Sequence, residues 1–180
     1  AERFISDEPR LYEPRERPWY QAGASASAHT WTAVYIDFRT HELVATRARK
    51  VLSPQGQTQG VVATDVSLRG LNDFVAALDI SAHGFAFIVE PGGDLIAASS
   101  GANVARGADG NMTRLKASAS THPMVPLAHA EVLRALADKQ TTLPQTRSLV
   151  GADGQAVYVA FNRLKDEAGL DWMVVVGVPE

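Results

Sequence analysis

The sequence predicts an α+β protein with two antiparallel sheets joined by a helix, on three observations. Apolar residues alternate with period two in several short runs, they switch to helical spacing in two places, and turn-forming Pro, Gly and Asp separate the runs. The resulting order is strands, helix, strands, helix, strands. Hairpins segregated by helices in this way give two sheets rather than one parallel sheet.

Residues 1–20 are rich in charge and proline and end in Tyr12-Glu13-Pro14-Arg15-Glu16-Arg17-Pro18-Trp19-Tyr20. Proline pushes the residue before it away from helix, which predicts a loop that presents these aromatics. Residues 21–30 are small and suit a short helix or a turn. Strand-like alternation then runs over 31–38, with Trp31, Ala33, Tyr35 and Asp37 on one face and Thr32, Val34, Ile36 and Phe38 on the other. A turn at 39–42 leads to a second strand over 43–51. Pro54-Gln55-Gly56 turns the chain into a third over 60–66, completing three consecutive antiparallel strands. Over 66–78, Leu68, Leu71, Phe74, Val75 and Leu78 form one helical stripe.

A new hairpin follows, 84–89 and 95–98 about Pro91-Gly92-Gly93-Asp94. Residues 99–122 are polar and glycine-rich and read as the longest loop. Val125, Ala128, Val132 and Leu136 mark a second helix, and strands at 156–161 and 172–178 follow the turn Gly151-Ala152-Asp153-Gly154. The boundary between two units falls near residue 80, giving 1–80 and 81–180. The first unit, with three strands and a loop, is the less complete.

Bulk composition excludes several classes. The 180 residues are 46% hydrophobic and 21% charged, which suits a globular protein. A net charge of -3 with no basic stripe lacks the footprint of a nucleic-acid binder. Cysteine is absent, which removes disulfides, thiolate nucleophiles, iron–sulfur clusters and Cys-based zinc sites. No apolar run approaches the roughly 20 residues that span a bilayer, and no signal peptide opens the chain. The sequence is thus either cytosolic or the soluble part of something longer.

An enzyme is the natural rival reading. Among the five histidines (29, 41, 83, 122, 129) no pair has metal-ligand spacing on a predicted helix. No H-E-x-x-H, G-x-S-x-G or phosphate-binding glycine loop occurs. Gly107-Ala108-Asp109-Gly110 and Gly151-Ala152-Asp153-Gly154 share a spelling, but Asp-Gly is a turn signal and the alternating acids of a calcium loop are missing. An acid–base pair from Asp37 and Asp65, as in a small hydrolase, lacks a nucleophile beside it. The sequence therefore implies no metal, no cofactor and no enzyme.

What remains is Tyr12, Arg17, Trp19, Tyr20, Tyr35, Asp37 and Asp65, whose chemistry is complementary. Arg17 offers a planar fork for a carboxylate. The Trp19 indole N–H and the Tyr12 hydroxyl donate to the same group. Asp37 and Asp65 accept from an ammonium, and tyrosine rings add cation–π attraction. One cationic pole, one anionic pole and aromatic walls fit an α-amino acid zwitterion. The structural alternative is an Arg-x-Trp-Tyr loop packed over a sheet edge, with Tyr35 and Asp37 facing solvent.

The run Tyr12-x4-Arg17-x-Trp19-Tyr20, with Tyr35-x-Asp37 on a strand and Asp65 before a helix, resembles the double-Cache sensors of bacterial receptors, most closely those that recognise amino acids. The segments 84–89 and 172–179 resemble the family's membrane-proximal module and its exit toward a second transmembrane helix. The resemblance implies two PAS-like (Cache) modules, the first lacking its N-terminal part, with the ligand pocket and connecting helix in 1–80. It implies that Arg17, Trp19 and Tyr12 hold the ligand carboxylate while Tyr35, Asp37 and Asp65 hold its α-ammonium. It further implies a periplasmic or extracellular domain, tethered to the membrane through flanking helices and homodimeric in the full receptor. The output would be a chemoreceptor, a histidine kinase or a cyclic-nucleotide enzyme such as a diguanylate cyclase. Alternatives of the same class bind an amine or a small carboxylate, or dimerise around a vestigial pocket. One departure stands out: His41 follows Thr40 where the family commonly has glycine.

Overall fold

The computed structural model describes residues 12–107 and 112–180. A short 3-10 turn, Pro14–Glu16, leads into helix α1 (Pro18–Ser25). Trp19 and Tyr20 therefore sit on a helix and not on the expected loop. Pro18 is the first helical residue, where its fixed φ suits the helix and its missing N–H is not needed.

The first sheet comprises β1 (Thr30–Trp31), β2 (Tyr35–Ile36), β3 (Leu43–Leu52) and β4 (Thr58–Ser67). β3 is central, with β1 and β2 along one edge and β4 along the other, all antiparallel. The single strand expected over 31–38 is thus broken. Four steps from Trp31 to Tyr35 match three on β3, from Arg47 to Val44, so one extra residue bulges out at 32–34. A one-residue offset inverts side-chain direction. Trp31 and Tyr35 consequently lie on opposite faces, contrary to the expected shared face.

α1 lies over the Tyr35 face. Its Gly23 approaches so closely that a Cβ there would meet Val61 Cγ1 at 2.5 Å and Ala48 Cβ at 3.0 Å. Helix α2 (Leu68–Ala76) starts two residues later than expected, because β4 keeps pairing with β3 as far as Ser67. The Ser67 hydroxyl accepts the Gly70 amide at 2.9 Å, so Ser67, not Asp65, caps this helix. Leu68 and Val75 are buried, whereas Phe74 and Leu78 are exposed, the first at the edge of the stripe and the second beyond the helix end.

The second sheet holds β5 (Phe85–Val89), β6 (Leu95–Ala98), β9 (Gln145–Val150), β10 (Ala156–Lys165) and β11 (Asp171–Pro179), in the order β6-β5-β11-β10-β9. Within 99–122, expected as a loop, the described residues pair as two short strands, β7 (Val104–Arg106) and β8 (Met112–Arg114), ahead of a 3-10 turn at Ala117–Ala119. Helix α3 (Met124–Ala137) covers one face of the second sheet. Of the two Gly-Ala-Asp-Gly runs, the first falls largely outside the described residues, and the second turns β9 into β10 with Gly154 at φ 80°.

β5 is buried along its whole length, since its two faces serve two cores. Phe85, Phe87 and Val89 join Val125, Val132, Phe161 and Val175 under α3. Ala86 and Ile88 join Ala45, Leu68, Val75 and Trp172, which belong to both sheets and to α2. Gly177 leaves room for the Phe85 ring, which an added Cβ would meet at 2.2 Å.

Trp31 ties the two sheets together. Its indole N–H donates to Asp166 Oδ2 (2.8 Å), its amide to the Ala168 carbonyl (2.9 Å), and its ring lies 6.3 Å from that of Trp172. Asp166 Oδ1 meanwhile accepts the Ala168 and Leu170 amides at 2.9 and 2.8 Å, shaping the turn between β10 and β11. Partial desolvation pulls the Asp166 carboxyl up, but the Trp31, Leu170 and Ala168 donors and the charge of Arg47 outweigh it and hold it below the usual range. A carboxyl lowered by folding contributes stability above its unfolded pKa and loses it as pH falls through the folded value. The stability difference between wild type and Asp166→Asn is therefore expected to stay constant above about pH 5 and to change on further acidification. A difference that is flat across the acid limb of a denaturation series would mean that Asp166 carries no charge-linked stability.

Candidate functional site

The site lies between α1 and the Tyr35 face of the first sheet. Arg17, which precedes α1, donates from Nη2 to the Ile36 carbonyl at 3.3 Å, and its guanidinium stands 5.4 Å from the Phe38 ring centre. Phe38 also packs on Tyr12, with ring centres 5.2 Å apart. The Trp19 indole N–H donates to the Tyr12 hydroxyl at 3.3 Å, and Tyr20 meets the Trp19 ring edge-on at 5.5 Å. A cation, a phenol and an indole N–H thus gather at one end.

The other end is built on β2, β3 and β4. Tyr35 and Thr46 share a hydroxyl–hydroxyl bond of 2.9 Å, and Thr46 donates to Asp65 Oδ1 at 2.5 Å. Thr46 and Asp65 are directly opposed in the β3–β4 register, so their side chains share a face. Burial raises the Tyr35 phenol; the Thr46 bond lowers it, the charges of Asp65 and Asp37 raise it and Arg17 lowers it, with a net upward shift. One phenol therefore senses all three charges of the predicted constellation.

Asp37 lies just past β2, in the turn before β3, rather than within a strand. Its Oδ1 accepts the Arg39 amide (3.1 Å), the Thr40 amide (2.8 Å) and the Thr40 hydroxyl (2.8 Å). Burial pushes its carboxyl up, but the Thr40, Arg39 and Phe38 donors prevail and hold it below the usual range. His41 closes the turn with a φ of 56°, the left-handed conformation in which glycine is at ease. The departure at His41 therefore leaves the shape of the turn in place.

Contacts thus join Tyr12, Trp19, Tyr20 and Arg17 around Phe38, and Tyr35 and Asp65 through Thr46, while the charges of Arg17, Asp37 and Asp65 all act on Tyr35. Sequence reading missed Thr46 and Phe38. Thr46 is fully buried, and its signal was a hydroxyl placed among Val44, Ala45 and Ala48 on a strand. Phe38 was assigned to the ordinary apolar face.

A second hollow of about 340 Å³ lies between the two sheets, lined in part by Trp31, Trp172, Glu90 and Asp171. Its acids are already paired, Glu90 with Arg114 and Asp171 with Arg163. It thus offers no uncommitted charge to a zwitterion. Among the described residues no group of three or more His, Cys, Asp or Glu side chains is placed to hold a metal. No described helix is long and apolar enough to cross a membrane.

The side chains of the site between α1 and the first sheet offer a guanidinium with indole and phenol donors at one end and carboxylate and phenol oxygens at the other. No family model matches the chain. In sequence it is 29% identical over 183 residues to the methyl-accepting chemotaxis protein PctB of Pseudomonas aeruginosa, covering 98% of this chain and 24% of that protein. It is 38% identical over 88 residues to the methyl-accepting chemotaxis protein McpG of Pseudomonas putida, which covers 49% of this chain and 14% of that protein. In structure it matches the ligand-binding domain of PctB in complex with L-Arg with a TM-score of 0.57 at 29% identity, over 99% of this chain and 65% of that one. The ligand-binding domain of the Pseudomonas fluorescens chemoreceptor CtaA in complex with L-leucine gives a TM-score of 0.56 at 23% identity, over 98% of this chain and 64% of that one, a likeness of fold. The chain spans less than a quarter of either curated relative. In fold and sequence the chain is therefore similar to the ligand-binding domains of bacterial chemoreceptors.

Proposed function

We propose that the chain binds a free α-amino acid between α1 and the first sheet, as the sensor domain of a membrane receptor. What supports this reading is that the charges of Arg17, Asp37 and Asp65 all act on Tyr35, with Trp19 and Tyr12 grouped near Arg17 and Thr46 linking Tyr35 to Asp65. Arg17, Trp19 and Tyr12 take the carboxylate, and the Tyr35, Asp65 and Asp37 oxygens take the ammonium. Tyr20 supports Trp19 from the side. The PctB domains solved with L-Arg and with L-Gln support an amino acid as the ligand class.

In this reading residues 1–80 carry the pocket and the connecting helix, and 81–180 form the membrane-proximal module. The receptor is tethered through flanking helices, is homodimeric, and exposes this domain to the periplasm or the exterior. A chemotactic output is the one that the curated relatives support.

The test is calorimetry of the full chain against the common L-amino acids, their amides and their N-acetyl derivatives. Free amino acids are expected to bind, and blocking either end to abolish binding. Asp65→Asn is expected to weaken binding at least tenfold while melting normally, since a charge-assisted bond is lost and Ser67 supplies the helix cap. Equal affinity for an amidated ligand would remove the carboxylate from the reading, and near-wild-type affinity in Asp65→Asn would move the ammonium to Asp37.

A further inference from the structure

We infer that Thr46 is a positioning residue for the ammonium end of the site, one that turns the Tyr35 phenol oxygen toward the ligand as an acceptor. The inference rests on the amino-acid reading above and adds a residue to it.

Thr46 sits between the half-buried Tyr35 phenol and the Asp65 carboxylate. Thr46 is fully buried, and Thr32 partners its backbone: the Thr46 amide donates to Thr32 Oγ1 (3.0 Å), and the Thr32 amide donates to the Thr46 carbonyl (2.9 Å). Its side chain has one proton and touches two oxygens. An ionised carboxylate only accepts, so the 2.5 Å bond to Asp65 takes the Thr46 proton. The 2.9 Å bond to Tyr35 must then run the other way, with the phenol donating to Thr46 Oγ1. Tyr35 has spent its only proton on Thr46 and keeps lone pairs for an incoming N–H. The direction is imposed by Asp65 and relayed by Thr46. Without Thr46 the phenol proton is free to rotate toward the ligand, where it would repel an ammonium.

The test uses Thr46→Val, which keeps the shape and removes the relay, and Thr46→Ser, which restores the hydroxyl. Probes are L-arginine and L-glutamine, with their α-deamino analogues, which keep the carboxylate and side chain but lack the ammonium. Thr46→Val is expected to lose roughly tenfold to a hundredfold in affinity for the amino acids, the span expected when buried polar groups lose their partner. Thr46→Ser should recover most of it, and any residual affinity for the deamino analogues should stay unchanged. In the ligand-free protein, nuclear magnetic resonance should show a slowly exchanging Thr46 hydroxyl proton that shifts in Asp65→Asn. Wild-type binding of the amino acids with Thr46→Val within threefold of it would overturn the role of Thr46 and leave the amino-acid reading standing. Equal losses for amino acids and deamino analogues would reduce Thr46 to a packing residue. A wild-type protein that binds none of the probes would overturn both.

Discussion

Arg17→Ala is expected to weaken amino-acid binding by about two to three orders of magnitude. Removing one partner of a desolvated, hydrogen-bonded ion pair strands the other at a cost of roughly 3–5 kcal/mol. At about 1.4 kcal/mol per decade that cost sets the size of the loss. Arg17 is held in place by the Ile36 carbonyl and the Phe38 ring, contacts that leave most of its guanidinium donors for a ligand. Arg17→Lys is expected to rescue poorly, because an ammonium has no planar fork and stacks less well on Phe38. Calorimetry showing Arg17→Ala within about threefold of wild type would put Arg17 outside the site.

Phe87→Ala is expected to have the largest effect on stability. Its side chain is fully buried, stacked on Phe85 with ring centres 6.4 Å apart, in the core beneath α3. Truncating a buried phenylalanine costs about 3–5 kcal/mol, because the cavity left behind closes only in part. For a chain of this size each kcal/mol lowers Tm by about 2–4 °C, which predicts a fall of roughly 6–20 °C. None of the site residues belongs to that core, so ligand affinity well below the new Tm is expected to match wild type. A matching loss of affinity would show that the two sheets form one cooperative unit and would count against the division at residue 80.

Much of this architecture was legible in the sequence, for physical reasons that differ by element. The 85–98 hairpin, β3 with β4, α3 and the closing strands announced themselves through apolar runs or apolar periodicity bounded by Pro, Gly and Asp turns. β9 went unread because it is an edge strand whose apolar residues are only Leu149 and Val150. The turn at 151–154 was the missed clue, since a hairpin turn needs a strand on each side. α1 was hidden by reading Pro18 as a breaker when it is an initiator.

The candidate site was legible because charge and aromatic chemistry survive in one dimension. Arg17, Trp19 and Asp65 have few reasons to recur in such an order, whatever the backbone does. Thr46 was not legible, because a threonine on a strand is ordinary until its neighbour across the sheet proves to be a carboxylate. The helix cap was misread for a related reason: Asp65 and Ser67 are both good caps, and only the reach of the β4 pairing decides between them.

The bulge at 32–34 limits how the first strand can move. Tyr35 is fastened on one side through Thr46, and Trp31 on the other through Asp166 and Ala168. Sliding the strand by one residue would turn both side chains to the wrong faces and break both fastenings at once. Tilting it about β3 would keep both. The two ends of this short segment are thus fastened to different parts of the fold, Tyr35 to β3 and Trp31 to the turn that opens β11.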